Sequence, residues 1–311
     1  MTLPQDYIGV DIAKDWIDAF HLSTARHERI PTTKQALARF AKAARGRLVV
    51  LEASGGYERP LTAALTKVGA DYARVNPRQA RAFAQAAGKL AKTDRVDAQI
   101  LARMGPALNL KPTAPDDPDL ARLSDLVARR STLVGLIRAE KNRAGTTRDT
   151  WLAREIALLV NVLESHLAAV EGQIATLIAT RDALAATSAR LCSVPGIGPA
   201  TSAVLIARLP ELGHLDHRKI TCLTGLAPHA CESGLSRGKR RIWGGRPDVR
   251  RALYIAAFIA SRCDPAIKAF RKRLQDAGKP IKLVLTACAR KLLTILNAML
   301  RDGKDYMKQL A

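Results

Sequence analysis

From residue 120 to about residue 189 the chain contains no proline and only three glycines, Gly135, Gly145 and Gly172. So long a stretch without turn or breaker residues leaves one ready solution, long helices. Apolar residues recur there at three- and four-residue steps: Leu120, Leu123, Leu126 and Val127, then Leu159, Val162, Leu163, Leu167, Val170, Ile174 and Leu177. The spacing predicts two long helices in an antiparallel or coiled-coil pairing. Such a stripe serves either an oligomer contact or a core layer within one protomer, and pattern alone leaves both open. Residues 112–118 (PTAPDDP) read as a linker on its N-terminal side. The expected division is therefore an α/β domain over 1–115, a helical coiled-coil or oligomerisation region over 116–189, and a helical domain over 190–311.

The first third alternates strand and helix signals. Tyr7-Ile8-Gly9-Val10 is a short apolar run ending at Asp11, and a second run comes from Trp16 to Leu22. Residues 33–44 have helical spacing, 47–51 (RLVVL) read as a buried strand ending on Glu52, 57–68 as a helix and 71–75 as a strand. After the Asn76-Pro77 turn, one long basic helix is expected from residue 78 to about 104. This pattern predicts a mixed sheet with helices.

Lys and Arg number 50 against 28 Asp and Glu, a formal net charge of +22. That excess goes beyond solubility and predicts a polyanionic partner, nucleic acid or an anionic membrane surface. The membrane alternative finds no support, because no apolar run approaches the roughly 18 residues needed to span a bilayer. The N-terminus shows no secretory signal. The five cysteines (Cys192, Cys222, Cys231, Cys263, Cys288) are odd in number and form no CxxC pair, which suits reduced thiols in a cytoplasmic protein. His214, His217 and Cys222 lack a fourth ligand for zinc.

Against this basic background four acids stand out by position. Asp11 and Glu52 end strands, and Asp94 and Asp97 lie one helical turn apart in KTDRVDAQ, on one helix face. Each has an ordinary reading as a turn residue or half of a surface ion pair. Together they make an all-oxygen donor set suited to Mg²⁺ or Mn²⁺, with Lys89, Lys92 and Arg95 placed for a nucleic-acid backbone. Further on, residues 194–202 (VPGIGPATS) resemble a helix-hairpin-helix, whose Gly196 and Gly198 would offer backbone N–H groups to a phosphate; a plain helix–helix turn is the alternative. Residues 237–251 carry seven basic side chains, Arg237, Lys239, Arg240, Arg241, Arg246, Arg250 and Arg251, against one acid, Asp248.

YIGVDIAK, VVLEASGGY and KTDRVDAQILA resemble the Asp-Glu-Asp-Asp signature of the insertion-sequence-110 family of transposases. The resemblance continues in the family's order through VPGIGPATSAVLIARL, LTGLAPHACESG and GGRPDVRRALYIAA to KLLTILNAML. It implies a RuvC-like, RNase H-fold domain over 1–115, with Asp11, Glu52, Asp94 and Asp97 as ligands of the divalent metal. It also implies that Ser233, in Cys231-Glu232-Ser233-Gly234, is the nucleophile of a serine-dependent DNA recombinase. Seen only as residues, a serine beside glycine is an ordinary turn, but the basic loop after it suits phosphate chemistry. The family works with donor and target DNA, a noncoding bridge RNA and multi-subunit assemblies, implying a homo-oligomer associated with the nucleoid. The competing expectations are a RuvC-like endonuclease using metal-activated water and a non-catalytic helix-hairpin-helix DNA-binding protein.

Overall fold

The computed structural model describes residues 6–89, 93–115, 117–230, 232–233, 236–238 and 240–306, and it divides into two compact units, Met1–Pro115 and Asp116–Ala311. The first contains β1 (Tyr7–Ile12), β2 (Trp16–His21), β3 (Arg26–Pro31), α1 (Lys34–Ala43), β4 (Leu48–Glu52), α2 (Arg59–Val68), β5 (Tyr72–Val75), α3 (Pro77–Ala86) and α4 (Asp94–Ala107). The strands form one mixed sheet in the order β3-β2-β1-β4-β5. β1 pairs antiparallel with β2 and parallel with β4, and β4 pairs parallel with β5. Helices cover both faces: Leu37, Phe40, Leu61 and Leu65 pack with Ile8, Val10 and Leu51 on one side, and Leu101 and Met104 pack with Tyr7, Leu48 and Val50 on the other. The interior strand β4 is accordingly apolar from Leu48 to Leu51, as a strand covered on two faces must be, and only its last residue, Glu52, is polar. This mixed sheet with flanking helices is consistent with an RNase H-like domain.

Two sequence expectations are corrected here. β3 is an additional strand that periodicity does not reveal: RHERIP is polar because it sits at the sheet edge, with no buried residue. The basic segment of 78–104 is two helices, not one, because Gly88 takes a left-handed φ of +71° just after α3.

The second unit begins with α5 (Pro118–Ala144) and α6 (Thr150–Ala179), an antiparallel hairpin. Ion pairs rung it along its length: Arg181–Asp119 at 2.7 Å, Arg130–Glu171 at 2.8 Å and Lys141–Glu164 at 2.7 Å. Then come α7 (Asp182–Cys192), α8 (Pro199–Arg208), α9 (His217–Leu223), β6 (Pro228–His229), β7 (Glu232–Ser233), β8 (Ser236–Arg237), β9 (Arg241–Ile242), α10 (Pro247–Cys263), α11 (Pro265–Asp276) and α12 (Ile281–Asp302). The base of the hairpin is not separate from the helices after it: Leu123, Val127, Ile174 and Leu177 lie in the same core as Leu205, Leu253 and Leu292. Its outer end is held by a smaller cluster of Ile137, Ile156 and Val160. α12 is long and apolar enough to cross a bilayer by composition, yet it buries Val284, Leu285, Cys288, Leu292 and Leu296 as a core stripe and carries Arg290 and Lys291 midway.

Candidate functional site

The acidic set is assembled by small residues. Tyr7, Gly9 and Asp11 alternate onto one face of β1, and α4 lies directly across that face. A Cβ added at Gly9 would stand 2.0 Å from the Ala98 carbonyl oxygen and 2.2 Å from the Ala102 nitrogen. One added at Gly105 would stand 2.2 Å from the Tyr7 ring. Gly9 and Gly105 therefore let the helix touch the strand, and the first turn of α4 comes down over the end of β1. That turn holds both Asp94 and Asp97, where the helix dipole favours negative charge, and Thr93 caps it by accepting from the Val96 N–H at 3.3 Å. On the other side of β1 the parallel register pairs Val10 with Leu51, which sets Glu52 beside Asp11.

Electrostatics register the crowding. The Asp11 carboxyl is pushed up to about 6, first by burial and then by the charges of Asp97, Glu52 and Asp94. Asp11 is thus the point at which the three other acids are all felt. Among the described residues no three or more His, Cys, Asp or Glu side chains stand close enough together to hold a metal ion as they are placed. The donor set, all carboxylate oxygen, fits a hard ion.

Asp18 and Arg29 join this face without having stood out in the sequence. Asp18 sits directly opposite Asp11 in the β1–β2 register and is buried. Arg29 donates to it through Nε at 3.0 Å and Nη2 at 2.8 Å, and the same Nη2 lies 3.6 Å from Asp94. The guanidinium lies 4.9 Å from the Trp16 ring centroid. A buried acid between Ile17 and Ala19 required a cation, and that was the available signal. The turn after Glu52 is also pinned: Glu58 accepts from the N–H groups of Ser54 at 3.2 Å and Gly56 at 2.8 Å. Burial raises the pKa of that carboxyl, but these backbone bonds outweigh it and hold it below the usual range. Of the neighbouring cations, Lys89 and Arg95 are exposed and Lys92 lies outside the described residues.

In the second unit, β6 and β9 form the base of a nested hairpin with Pro228 opposite Ile242, and β7 and β8 pair further out with Ser233 opposite Ser236. The side chains of Ser233 and Arg237, and all of Cys231 and Lys239, lie outside the described residues. The remaining arginines divide into two groups. Arg246 binds Glu211 in fork geometry, at 2.5 and 2.6 Å, and donates to the Arg208 carbonyl at 2.9 Å. Arg250 donates to the Gly244 carbonyl at 2.6 Å. These two hold the loop to the body of the unit. Arg240, Arg241 and Arg251 are exposed, with Arg251 3.9 Å from Asp248.

α7, the turn and α8 supply a helix–turn–helix path over VPGIG, with Val194 and Ile197 buried. Gly196, at φ +92°, is pressed on α10: a Cβ there would meet the Ala256 oxygen at 2.5 Å and the Ala260 nitrogen at 2.8 Å. Its glycine is required by packing. Gly198 caps the start of α8 in open space.

Comparison with known proteins identifies the family. Residues 8–147 match a transposase family model, that of the DEDD transposases of IS110. Residues 188–272 match the model described as transposase IS116/IS110/IS902 family. Pilin gene-inverting proteins of Moraxella lacunata and Moraxella bovis are each 27% identical over 99% of this chain and 99% of their own length. An uncharacterized 43.6 kDa protein of insertion element IS110 from Streptomyces coelicolor is 35% identical over 48% of this chain and 38% of its own. With one model of the family over the acidic sheet domain and a second over the helical unit, the chain belongs to the IS110 family of transposases, which are DNA recombinases.

Proposed function

We propose that this transposase cuts and rejoins DNA through a covalent phosphoserine formed at Ser233, assisted by a divalent cation and directed by a bridge RNA. The observation that carries the reading is the gathering of Glu52, Asp94 and Asp97 around a half-buried Asp11 whose pKa they raise, in a chain of net charge +22. Like charges around one carboxyl raise its pKa, and a bound cation would offset that cost. Asp11, Glu52, Asp94 and Asp97 would hold Mg²⁺ or Mn²⁺, which when bound supplies positive charge at the phosphoryl oxygens and eases ionisation of a hydroxyl.

In the first step Ser233 Oγ bonds to phosphorus as the bond to a deoxyribose oxygen breaks, and that oxygen takes the proton the serine gives up. In the second, a strand hydroxyl attacks the phosphoserine and the proton returns to Ser233. One ester replaces another at each step, so rejoining needs no external energy. The exposed Arg240, Arg241 and Arg251 contact phosphates beside the reacting one, while base pairing with RNA chooses the site. A second copy docks on the outer face of α6, where Trp151, Leu158 and Val162 form an exposed apolar stripe at helical spacing.

A denaturing gel tests the central claim. Incubated with Mg²⁺, RNA and DNA, the wild-type protein should give a DNA-linked band that Ser233→Ala lacks and Cys231→Ala retains. An adduct persisting in Ser233→Ala would mean another nucleophile; cleavage with no adduct in any variant would mean metal-dependent hydrolysis.

A further inference from the structure

Trp243 is 68% exposed and lies just past β9, in the loop that carries Ser233. Among the described residues its one ring contact is His229, at 5.4 Å and 61° between planes. The peptide that carries this indole is anchored on both sides of it. Before it, β9 pairs with β6, Arg241 opposite His229. After it come Gly244 and Gly245, at φ +71° and +63°, in a tight turn that only glycine adopts without strain. Gly245 lies so close to the 224–225 backbone that a Cβ would meet the Gly225 nitrogen at 2.2 Å. Arg250 then holds the Gly244 carbonyl at 2.6 Å, the Arg246 N–H donates to the Leu223 carbonyl at 3.1 Å, and the Arg246 guanidinium is locked on Glu211. Every fixing contact keeps the peptide still and leaves the ring outside.

The surroundings identify the occupant. Arg240, Arg241 and Ile242 next to the indole are exposed, and the chain as a whole carries +22. A fixed aromatic ring among arginines suits a π-face carried on a polyanion. In intact duplex the faces of the bases are hidden by their neighbours; they become available only where a base is unpaired. Ser233 lies four residues beyond His229, at most about 14 Å of extended chain and so about four nucleotides at 3.4 Å each.

We infer that Trp243 is a stacking platform for an unpaired DNA base close to the strand that Ser233 attacks, a base-binding site distinct from the backbone-binding arginines. The inference rests on the phosphoserine reading for the role of the base, though not for its binding. Holding an unstacked base there would keep the parted strands open while one ester is exchanged for the other.

The test uses full-length protein with Trp16→Phe and Trp151→Phe, so that Trp243 is the single tryptophan, and three probes: a thymidine oligomer, a fully paired duplex, and that duplex with a short unpaired bulge. Indole fluorescence should be quenched by the oligomer and the bulged duplex, and much less by the paired one. In the otherwise wild-type protein, Trp243→Ala should weaken binding of the first two about ten- to hundredfold with little change for the paired duplex, and Trp243→Phe should recover part of the loss. Equal losses on all three probes would overturn the inference. So would no loss on any, and so would unchanged DNA binding with an altered oligomeric state by light scattering, which would give the indole to a second copy of the chain. The adduct gel on the same proteins separates the two ideas. Quenching without a wild-type adduct upholds the stack and removes the phosphoserine, whereas a wild-type adduct with no Trp243 effect does the reverse.

Discussion

Asp11→Asn should stabilise the protein at neutral pH while removing its activity. The wild-type carboxyl is raised from 3.8 to about 6 by burial and by Asp97, Glu52 and Asp94. At 1.36 kcal/mol per unit that is about 3 kcal/mol; the group is part-exposed, and allowance for solvent screening leaves about 1–2 kcal/mol. An acid whose pKa is raised by folding is held protonated by the folded chain where the unfolded chain has already lost the proton. Its contribution is fully present below about pH 3.8 and is lost as pH rises through about 6. Asparagine keeps the shape, can accept the Ile12 N–H as the carboxylate does, and never ionises. In EDTA, urea melts of the two proteins should therefore coincide near pH 4 and diverge by about 1–2 kcal/mol in favour of Asp11→Asn at pH 7.5. Adding Mg²⁺ at pH 7.5 should raise the wild-type midpoint and leave the variant nearly unmoved. A variant equal to or weaker than wild type at pH 7.5 in EDTA would show that burial and the neighbouring carboxylates do not raise the pKa of Asp11, and the case for a cation site at Asp11 would fall with it.

Gly9→Ala should cost about 1–3 kcal/mol by overpacking, because its methyl lands 2.0 Å from the Ala98 carbonyl oxygen; by tilting α4 it should also cut the recombination rate about a hundredfold. Glu211→Ala and Arg246→Ala should each cost about 1–2 kcal/mol, and the double variant in a urea melt should be no worse than Arg246→Ala alone, since removing Arg246 already breaks the whole fork and its bond to the Arg208 carbonyl. Mixing Ser233→Ala with Asp97→Ala protein should restore some recombination if the acids and the serine act across two copies; complete inactivity of the mixture beside an active wild type would confine both to one chain. Replacing Leu158 and Val162 by Gln should leave monomers in light scattering, and an unchanged oligomer would clear the α6 face of that role.

The frame of the protein was legible because burial imposes period and punctuation on sequence. The two-faced strand RLVVL announces itself, as do the proline-free helices and the turn at Asn76-Pro77. β3 did not, since an edge strand facing water has no reason to alternate cleanly, and its Arg29 acquires meaning only from Asp18 on the next strand. The acids were legible individually, by their positions at strand ends and one helical turn apart. What draws them together is Gly9 against Ala98 and Ala102, a fit between two backbones that no local pattern specifies. The basic loop shows the limit most plainly. Read along the chain, Arg240, Arg241, Arg246, Arg250 and Arg251 are equivalent cations. In the fold, Glu211 lies 35 positions before Arg246 and takes it for structure, and the Gly244 carbonyl takes Arg250. The others are left facing solvent, beside a tryptophan whose exposure the sequence had no means to express. Charge counted from composition therefore overstates the surface available to nucleic acid, and function is divided among like residues by partners far away in the chain.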